Sequence, residues 1–229
     1  MRCRIVSVDV GAVRKNFAWA ALDFPARLPV GQGGMDPEGA AQSVLEAFAN
    51  RAPVALGFEA PMMVPVSPVE ANGWQSLGKA RQGEAANGQS RPWSAGAGSG
   101  TLATGLVQMA WVLERVAMAS PHLRCTTQSE LWLAKDAGLY LWEAFVSGSA
   151  KPAPNGVTQH AADAAAAADT FATRLEESNL LLSDVTCEPG TAFNLAAAAA
   201  IYSGMSIATA EIRLPLRVYR TQPAVDPTR

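Results

Sequence analysis

Short apolar runs alternate along this chain with longer segments in which apolar residues recur at helical spacing, and this alternation limits the possible folds. The apolar runs are rich in β-branched and aromatic residues and predict strands at residues 2–10, 16–24, 27–34, 53–61, 139–146 and 211–220. The helical spacing predicts helices at residues 37–50, 102–119, 158–175 and 191–204. Such alternation is typical of an α/β layer structure.

The order of these elements indicates a mixed sheet. The first two runs flank a turn that contains Gly11, as in an antiparallel β-hairpin. The run at 53–61 follows a predicted crossover helix, so we expect it to be a buried parallel strand. We therefore predict one domain over residues 1–220, with a long Gly-, Pro- and Ser-rich insertion at about 62–101 and a frayed tail at 221–229.

Composition limits the classes of function. The chain has 229 residues, of which 49% are apolar, so a single domain can bury a sizeable core. Its net charge of −2 and pI near 5.7 argue against a globally basic nucleic-acid binder but are compatible with a local basic groove.

The cysteines and the hydropathy pattern indicate a cytoplasmic protein. Cys3, Cys125 and Cys187 are odd in number, far apart and in no C-x-x-C pair, so they predict neither a disulfide framework nor a zinc site. No apolar run approaches the roughly 18 residues of a membrane-spanning helix, and no leader pattern precedes the first strand. We expect reduced thiols and no membrane partner.

Carboxylates stand at unusual places in this pattern. Asp9 lies in a run of Ile and Val that is otherwise suited to the core, and Glu59 stands near the end of the strand at 53–61. Burying an ionised carboxylate without partners is costly, so Asp9 must lie at an exposed strand end, accept hydrogen bonds or face a cation. Asp163 stands near the start of an Ala-rich helix, with His160 three residues earlier on the same face.

Neighbouring strand ends can bring Asp9 and Glu59 together, and a helix across that edge can add Asp163. Three hard oxygen ligands around one point suit Mg²⁺ or Mn²⁺. Two such ions, about 3.5–4 Å apart, can catalyse phosphodiester hydrolysis, in which one activates water and the other stabilises the leaving oxygen.

Three segments carry a resemblance to a known superfamily. The segments "IVSVDVGAVRKNFAWAAL", "VALGFEAP" and "HAADAAAAA" resemble the three acidic motifs of the RNase H-like superfamily, closest in style to bacterial Holliday-junction resolvases. They are also similar to an uncharacterised bacterial family of predicted RNase H-like nucleases. The resemblance spans roughly residues 4–172. It implies an RNase H-like mixed sheet, with an antiparallel first hairpin followed by parallel strands and flanked by helices.

The resemblance also implies site residues and an activity. Asp9, Glu59 and Asp163 match the superfamily's metal-binding acids, and His160 matches a residue that assists them. Glu143 in "LYLWEAF" is similar to a fifth-strand Glu of the second family. The implied function is a nuclease that depends on Mg²⁺ or Mn²⁺ and hydrolyses phosphodiester bonds by a two-metal mechanism. Its partner would be DNA or RNA, branched forms included, and a homodimer is left open.

The insertion supplies candidate nucleic-acid contacts. Lys79, Arg81, Arg91 and Trp93 combine cations with an aromatic ring, a mixture that can meet phosphates and stack bases. Scattered loop residues without a shared role are the alternative. The glycine-rich residues 94–105 are interpreted as a flexible hinge, or as a helix start whose N–H groups hold a phosphate.

The chain also departs from the resolvases. They are normally shorter and carry a basic DNA-facing surface, whereas this chain is acidic and has a second Ala-rich helix. If the last acid of the motif belonged to that helix, Asn194 would stand in its place, and an amide is a poorer metal ligand. One alternative is therefore a catalytically inactive RNase H-like binding or scaffold protein. Another is nucleotide phosphate binding by Asp9-x-Gly11, as in sugar kinases and actin-like ATPases, which normally need two such domains.

Overall fold

The computed structural model describes residues 1–32, 34–66, 78–86, 88–177, 181–187 and 191–222. Its strands are β1 (Cys3–Asp9), β2 (Ala18–Phe24), β3 (Leu28–Gln32), β4 (Val54–Phe58), β5 (Met63–Pro65), β6 (Ala85–Ala86), β7 (Gln89–Ser90), β8 (Cys125–Thr126), β9 (Leu139–Phe145), β10 (Ala192–Asn194) and β11 (Val218–Arg220). Its helices are α1 (Pro37–Ala49), α2 (Gly96–Ala119), α3 (Ser129–Leu133), α4 (Gln159–Glu177) and α5 (Leu195–Tyr202).

A seven-stranded mixed sheet forms the centre of the described chain. Its order is β11-β9-β4-β1-β2-β3, and the short β8 pairs with β9. The pairs β1–β2 and β2–β3 are antiparallel, whereas β1–β4, β4–β9 and β9–β11 are parallel. The predicted mixed α/β class is confirmed, and the arrangement is consistent with an RNase H-like sheet.

Side-chain alternation along the strands divides the core into two layers. In β1, Val6 and Val8 pack in the larger layer, which also contains residues of α1, α2 and α5, whereas Ile5 packs in the layer beneath α4. The α4 layer is rich in aromatic rings, with Trp142 stacked on Phe171 at a centroid distance of 4.8 Å. Because odd-numbered β1 residues face α4, Asp9 also belongs to that face.

Small residues on α4 allow this helix to lie close to the sheet. Ala164, Ala167 and Ala168 are fully or almost fully buried, and α4 packs against both β1 and β2. Because the side chain of alanine is a single methyl group, these residues let α4 approach the sheet closely. The position of Asp163, between two buried alanines of this face, follows from the same packing.

Several local predictions were wrong at the level of single elements. The glycines at 96–105 lie within α2, because Gly98 and Gly105 allow close packing against Pro92 and Ala60 rather than forming a hinge. The Ala-rich stretch predicted as a helix from 191 begins instead with β10, and α5 starts at Leu195. The prediction also missed β8 and α3, which are short and lack a full period of their pattern.

Parts of two predicted segments lie outside the described residues. They are residues 67–77 and 87 of the insertion and residues 223–229 of the tail. In the described part of the insertion, β6 and β7 pair as a hairpin, and Arg81 and Arg91 on either side of it pair with Glu143 of β9. Cys3, Cys125 and Cys187 are free and buried. Among the helices that the structure describes, none combines the length and apolar character needed to cross a lipid bilayer.

Candidate metal centre

Parallel pairing of β1 and β4 places two carboxylates at one edge of the sheet. Val8 pairs with Phe58, and the Glu59 amide donates a hydrogen bond of 2.8 Å to the Val8 carbonyl. Asp9 is therefore the last residue of β1, and Glu59 directly follows β4 at the same level. Both stand at positions whose parity points to the α4 face.

Helix α4 adds the third carboxylate. Carboxylate oxygens of Asp9, Glu59 and Asp163 lie within 4.8 Å of one another, and all three residues are buried. The structure thus brings together the three acids that the sequence singled out, although 154 positions separate the first from the last (163 − 9). A buried Asp/Glu/Asp group of this size could hold a divalent metal ion, since oxygen donors suit hard cations.

The turn after β1 is shaped by a glycine. A Cβ atom at Gly11 would lie 2.0 Å from the Asn16 carbonyl oxygen, so any larger residue would displace this turn. Gln108 of α2 holds the same residue at two points, because it accepts from the Gly11 amide at 3.3 Å and donates to its carbonyl at 2.7 Å. These contacts fix the backbone two residues beyond Asp9.

Two of the acids have polar partners on or before α4. The His160 Nδ1 atom lies 2.8 Å from Asp9 Oδ2, so the predicted His160 is at the centre. Lys151 Nζ donates to Asp163 Oδ2 at 2.6 Å, and Gln159 Nε2 donates to Asp163 Oδ1 at 2.7 Å. Sequence reasoning missed both donors. Gln159 stands four residues before Asp163, a spacing that could have indicated it, whereas no pattern marked Lys151.

Glu59 has the least complete set of partners. Among the residues that the structure describes, none donates a hydrogen bond to its buried Oε2 atom, and its Oε1 atom lies 3.8 Å from Arg91 NH1. A buried carboxylate oxygen without a partner is unfavourable, and a cation beside it would remove that penalty. This unpartnered atom fits the interpretation of the group as a metal centre.

Burial and neighbouring negative charges raise the pKa values of two acids of the centre. Burial raises the pKa of Asp9 to about 6, although the hydrogen bond and charge of His160 lower it, and the Asp163 charge adds to the rise. Burial, followed by the charge of Asp9, raises the pKa of Glu59 well above its ordinary range, against the lowering effect of Arg91. A divalent cation would favour the ionised form of each acid.

Glu143 does not join these acids, which corrects its prediction as an assisting catalytic residue. It alternates with Trp142 on β9 and shares a face with Phe145, on the side of the sheet opposite α4. Both carboxylate oxygens of Glu143 are used by cations: Oε2 accepts from Arg81 at 2.6 Å, and Oε1 accepts from Arg91 at 2.9 Å. The Glu143 carboxylate is fully buried in this ion pair.

The same ion pairs change the interpretation of the insertion. Arg81 and Arg91, predicted to contact nucleic acid, are buried, and Arg81 also pairs with Glu84 at 3.0 Å. They attach the insertion to β9, and their burial in these ion pairs argues against the predicted contact with a nucleic-acid backbone. A long loop can bury its own charged side chains when each charge has a partner of opposite sign in the interior.

The other two predicted nucleic-acid contacts lie nearer the surface. Lys79 is exposed, and Trp93 is partly exposed. The Trp93 indole N–H donates to the Lys79 carbonyl at 2.7 Å, so the two residues are neighbours. Their role in binding stays a prediction.

The second Ala-rich helix supplies no acid to the centre. Asn194 caps α5, because its Oδ1 atom accepts from the Ala197 amide at 3.0 Å, and its Nδ2 donates to Thr127 Oγ1 at 3.0 Å. The acid that a helix contributes to the candidate metal centre is therefore Asp163 of α4.

Comparisons of the chain with protein-family models, curated proteins and solved structures found no match.

Proposed function

We propose that this protein is a divalent-metal-dependent nuclease that hydrolyses phosphodiester bonds with Mg²⁺ or Mn²⁺. The observation that carries the proposal is the buried group formed by Asp9, Glu59 and Asp163, whose carboxylate oxygens lie within 4.8 Å of one another. The mixed sheet supports it, since the arrangement is consistent with an RNase H-like fold. The superfamily resemblance of the three acidic segments adds further support.

Charge explains why such a centre needs a cation before it can accept a phosphodiester. Three carboxylates at this spacing repel an anionic substrate, and burial, with their mutual repulsion added to it, raises the pKa of Asp9 and Glu59. A bound divalent ion supplies Lewis-acid stabilisation of charge on phosphoryl oxygens and lowers the pKa of bound water. Asp9, Glu59 and Asp163 are the residues that would hold it.

The chain's own side chains position the acids. His160 holds one oxygen of Asp9 through Nδ1 and keeps a second ring nitrogen that can carry a proton; its side chain is 32% exposed, so it is accessible from solvent. Gln159 and Lys151 hold the two oxygens of Asp163. Arg91 lies between the metal centre and Glu143, because its guanidinium group is near the carboxylates of both Glu59 and Glu143.

The test compares Asp9→Asn with Asp136→Asn, an exposed acid before β9 at the opposite edge of the sheet. Each protein would be titrated with Mn²⁺ and incubated with labelled single-stranded, duplex, hybrid and four-way-junction substrates. We expect wild type and Asp136→Asn to bind Mn²⁺ and to cleave at least one substrate class, and Asp9→Asn to lose both properties.

Two results would contradict the proposal. Cleavage retained by Asp9→Asn would exclude the role of this carboxylate. A wild-type protein that binds no Mn²⁺ and cleaves none of these substrates would favour the inactive binding or scaffold protein.

A further inference from the structure

A lysine ammonium group already stands among the acids of the centre. Lys151 lies eight positions before α4, and its Nζ atom is 2.6 Å from Asp163 Oδ2, the distance of a short charge-assisted hydrogen bond. The Asp163 carboxylate is fully buried, whereas the lysine side chain is 46% exposed and reaches inward from the surface. The cation therefore comes from a segment that belongs neither to the sheet nor to α4.

The count of charges favours one divalent ion over two. Asp9, Glu59 and Asp163 carry three negative charges when ionised, and Lys151 carries one positive charge. One divalent ion brings the sum to zero (−3 + 1 + 2), whereas two would leave an excess of two positive charges. Glu143 cannot serve as a fourth acid, because both of its oxygens are paired with arginines.

The supply of oxygen donors leads to the same conclusion. Both oxygens of Asp163 already accept hydrogen bonds, from Lys151 and Gln159, and one oxygen of Asp9 is held by His160. In the part of the chain that the structure describes, the remaining oxygens are Asp9 Oδ1 and the two of Glu59, of which Oε2 is buried without a partner. Two ions with octahedral shells would have to share these three oxygens or displace the donors from Asp163, with water completing each shell.

We propose that this centre takes one divalent ion and that the Lys151 ammonium group supplies the positive charge that a second ion would provide. The inference rests on the proposed nuclease function and changes its mechanism from two metals to one metal with a lysine. Lys151 acts as a positioning and charge-neutralising residue: it fixes Asp163 and offsets its charge.

The test counts bound Mn²⁺ ions in metal-free protein, with free Mn²⁺ followed by electron paramagnetic resonance. It uses wild type, Lys151→Met, Lys151→Arg and, as a matched control, Lys135→Met, an exposed lysine before β9. We expect one ion per chain in wild type, Lys151→Arg and Lys135→Met, and two ions in Lys151→Met, since that variant keeps the carboxylates and loses the competing cation. Circular dichroism would establish that each variant is folded.

The outcomes distinguish failure of the proposed role of Lys151 from failure of the proposed nuclease function. Two ions in wild type, or one ion in folded Lys151→Met, would overturn the role of Lys151 while leaving a metal-dependent nuclease intact. No ion in wild type would remove the proposed function itself. Retention of one ion by Lys151→Arg shows that charge is the property that matters, because arginine preserves the charge but not the shape of the ammonium group.

Discussion

Replacement of Asp9 by Asn should stabilise the metal-free protein while it abolishes metal binding. Burial raises the pKa of Asp9 from an ordinary value of 3.8 to about 6, so its ionised form is disfavoured in the folded state. At about 1.4 kcal/mol per pKa unit, ionised Asp9 reduces the free energy of unfolding by about 3 kcal/mol at pH 8. Asn resembles the neutral acid and avoids this penalty.

The sign of the pH dependence follows from the raised pKa. A carboxyl that binds its proton more tightly in the folded state favours folding most at low pH, and this contribution is lost as pH rises from about 4 through about 6. The advantage of Asp9→Asn should therefore be largest at pH 8. It should fall to roughly half of that value at pH 5, where Asp9 is mostly protonated only in the folded protein.

Urea unfolding in the presence of a chelator, at pH 5 and pH 8, measures this effect. Asp136→Asn is the control, because the same chemical change at an exposed site should alter the free energy of unfolding by less than about 0.5 kcal/mol. Excess Mn²⁺ should stabilise wild type alone, by about 2.7 kcal/mol at a hundred times the dissociation constant and by about 4.1 kcal/mol at a thousand times, so the order should reverse at the higher ratio. The reasoning is refuted if Asp9→Asn is no more stable than wild type at pH 8, or if its advantage does not shrink at pH 5.

Three further predictions concern the surroundings of the site. Arg81→Met should lower the free energy of unfolding, measured in urea, by about 3–5 kcal/mol, because it leaves buried carboxylates without their cation. Lys79→Met is the control and should change this free energy little. A loss below about 1 kcal/mol for Arg81→Met would contradict a stabilising role of the ion pairs. Gly57→Ala should lower the free energy of unfolding by about 1–3 kcal/mol or more, because its Cβ would lie 2.3 Å from the indole ring of Trp142 on β9. Gly100→Ala, with open space around it, should leave this free energy unchanged or raise it. Equal effects of the two changes would contradict the tight packing at Gly57. Mn²⁺ affinity should fall about tenfold per pH unit below about 6 as Asp9 becomes protonated, and calorimetry that finds a flat affinity from pH 5 to 7 would exclude this acid as a ligand.

Most of the sheet could be predicted from the sequence because its strands have strong local patterns. β1, β4 and β9 are compact apolar runs, and the predicted helix at 37–50 agrees with α1 within one residue. The short elements were missed because two to five residues do not establish a period. The start of α2 was missed because Gly96, Gly98 and Gly100 favour loops locally, and of these three only Gly98 packs closely, against the Pro92 carbonyl.

The acids of the centre and His160 were predictable, but Lys151 and the pairing of Arg91 were not. Asp9 and Glu59 are conspicuous as charges at the ends of apolar runs, and parallel pairing brings such ends together. The side of the sheet that Glu143 faces depends on register, which sequence pattern alone left open. Lys151 and Arg91 come from irregular segments, whose path over the molecule is set by long-range contacts and has no local signature.

The buried cluster of Arg81, Glu84, Arg91 and Glu143 limits how this chain can diverge or be redesigned. A neutral residue at one of these positions leaves an opposite charge stranded in the interior, so acceptable changes at the four sites must occur in compensating combinations. Removing the insertion to widen access to the centre would remove three of the four at once, namely Arg81, Glu84 and Arg91. The segment that looks most dispensable in the sequence is therefore held by buried ion pairs to β9.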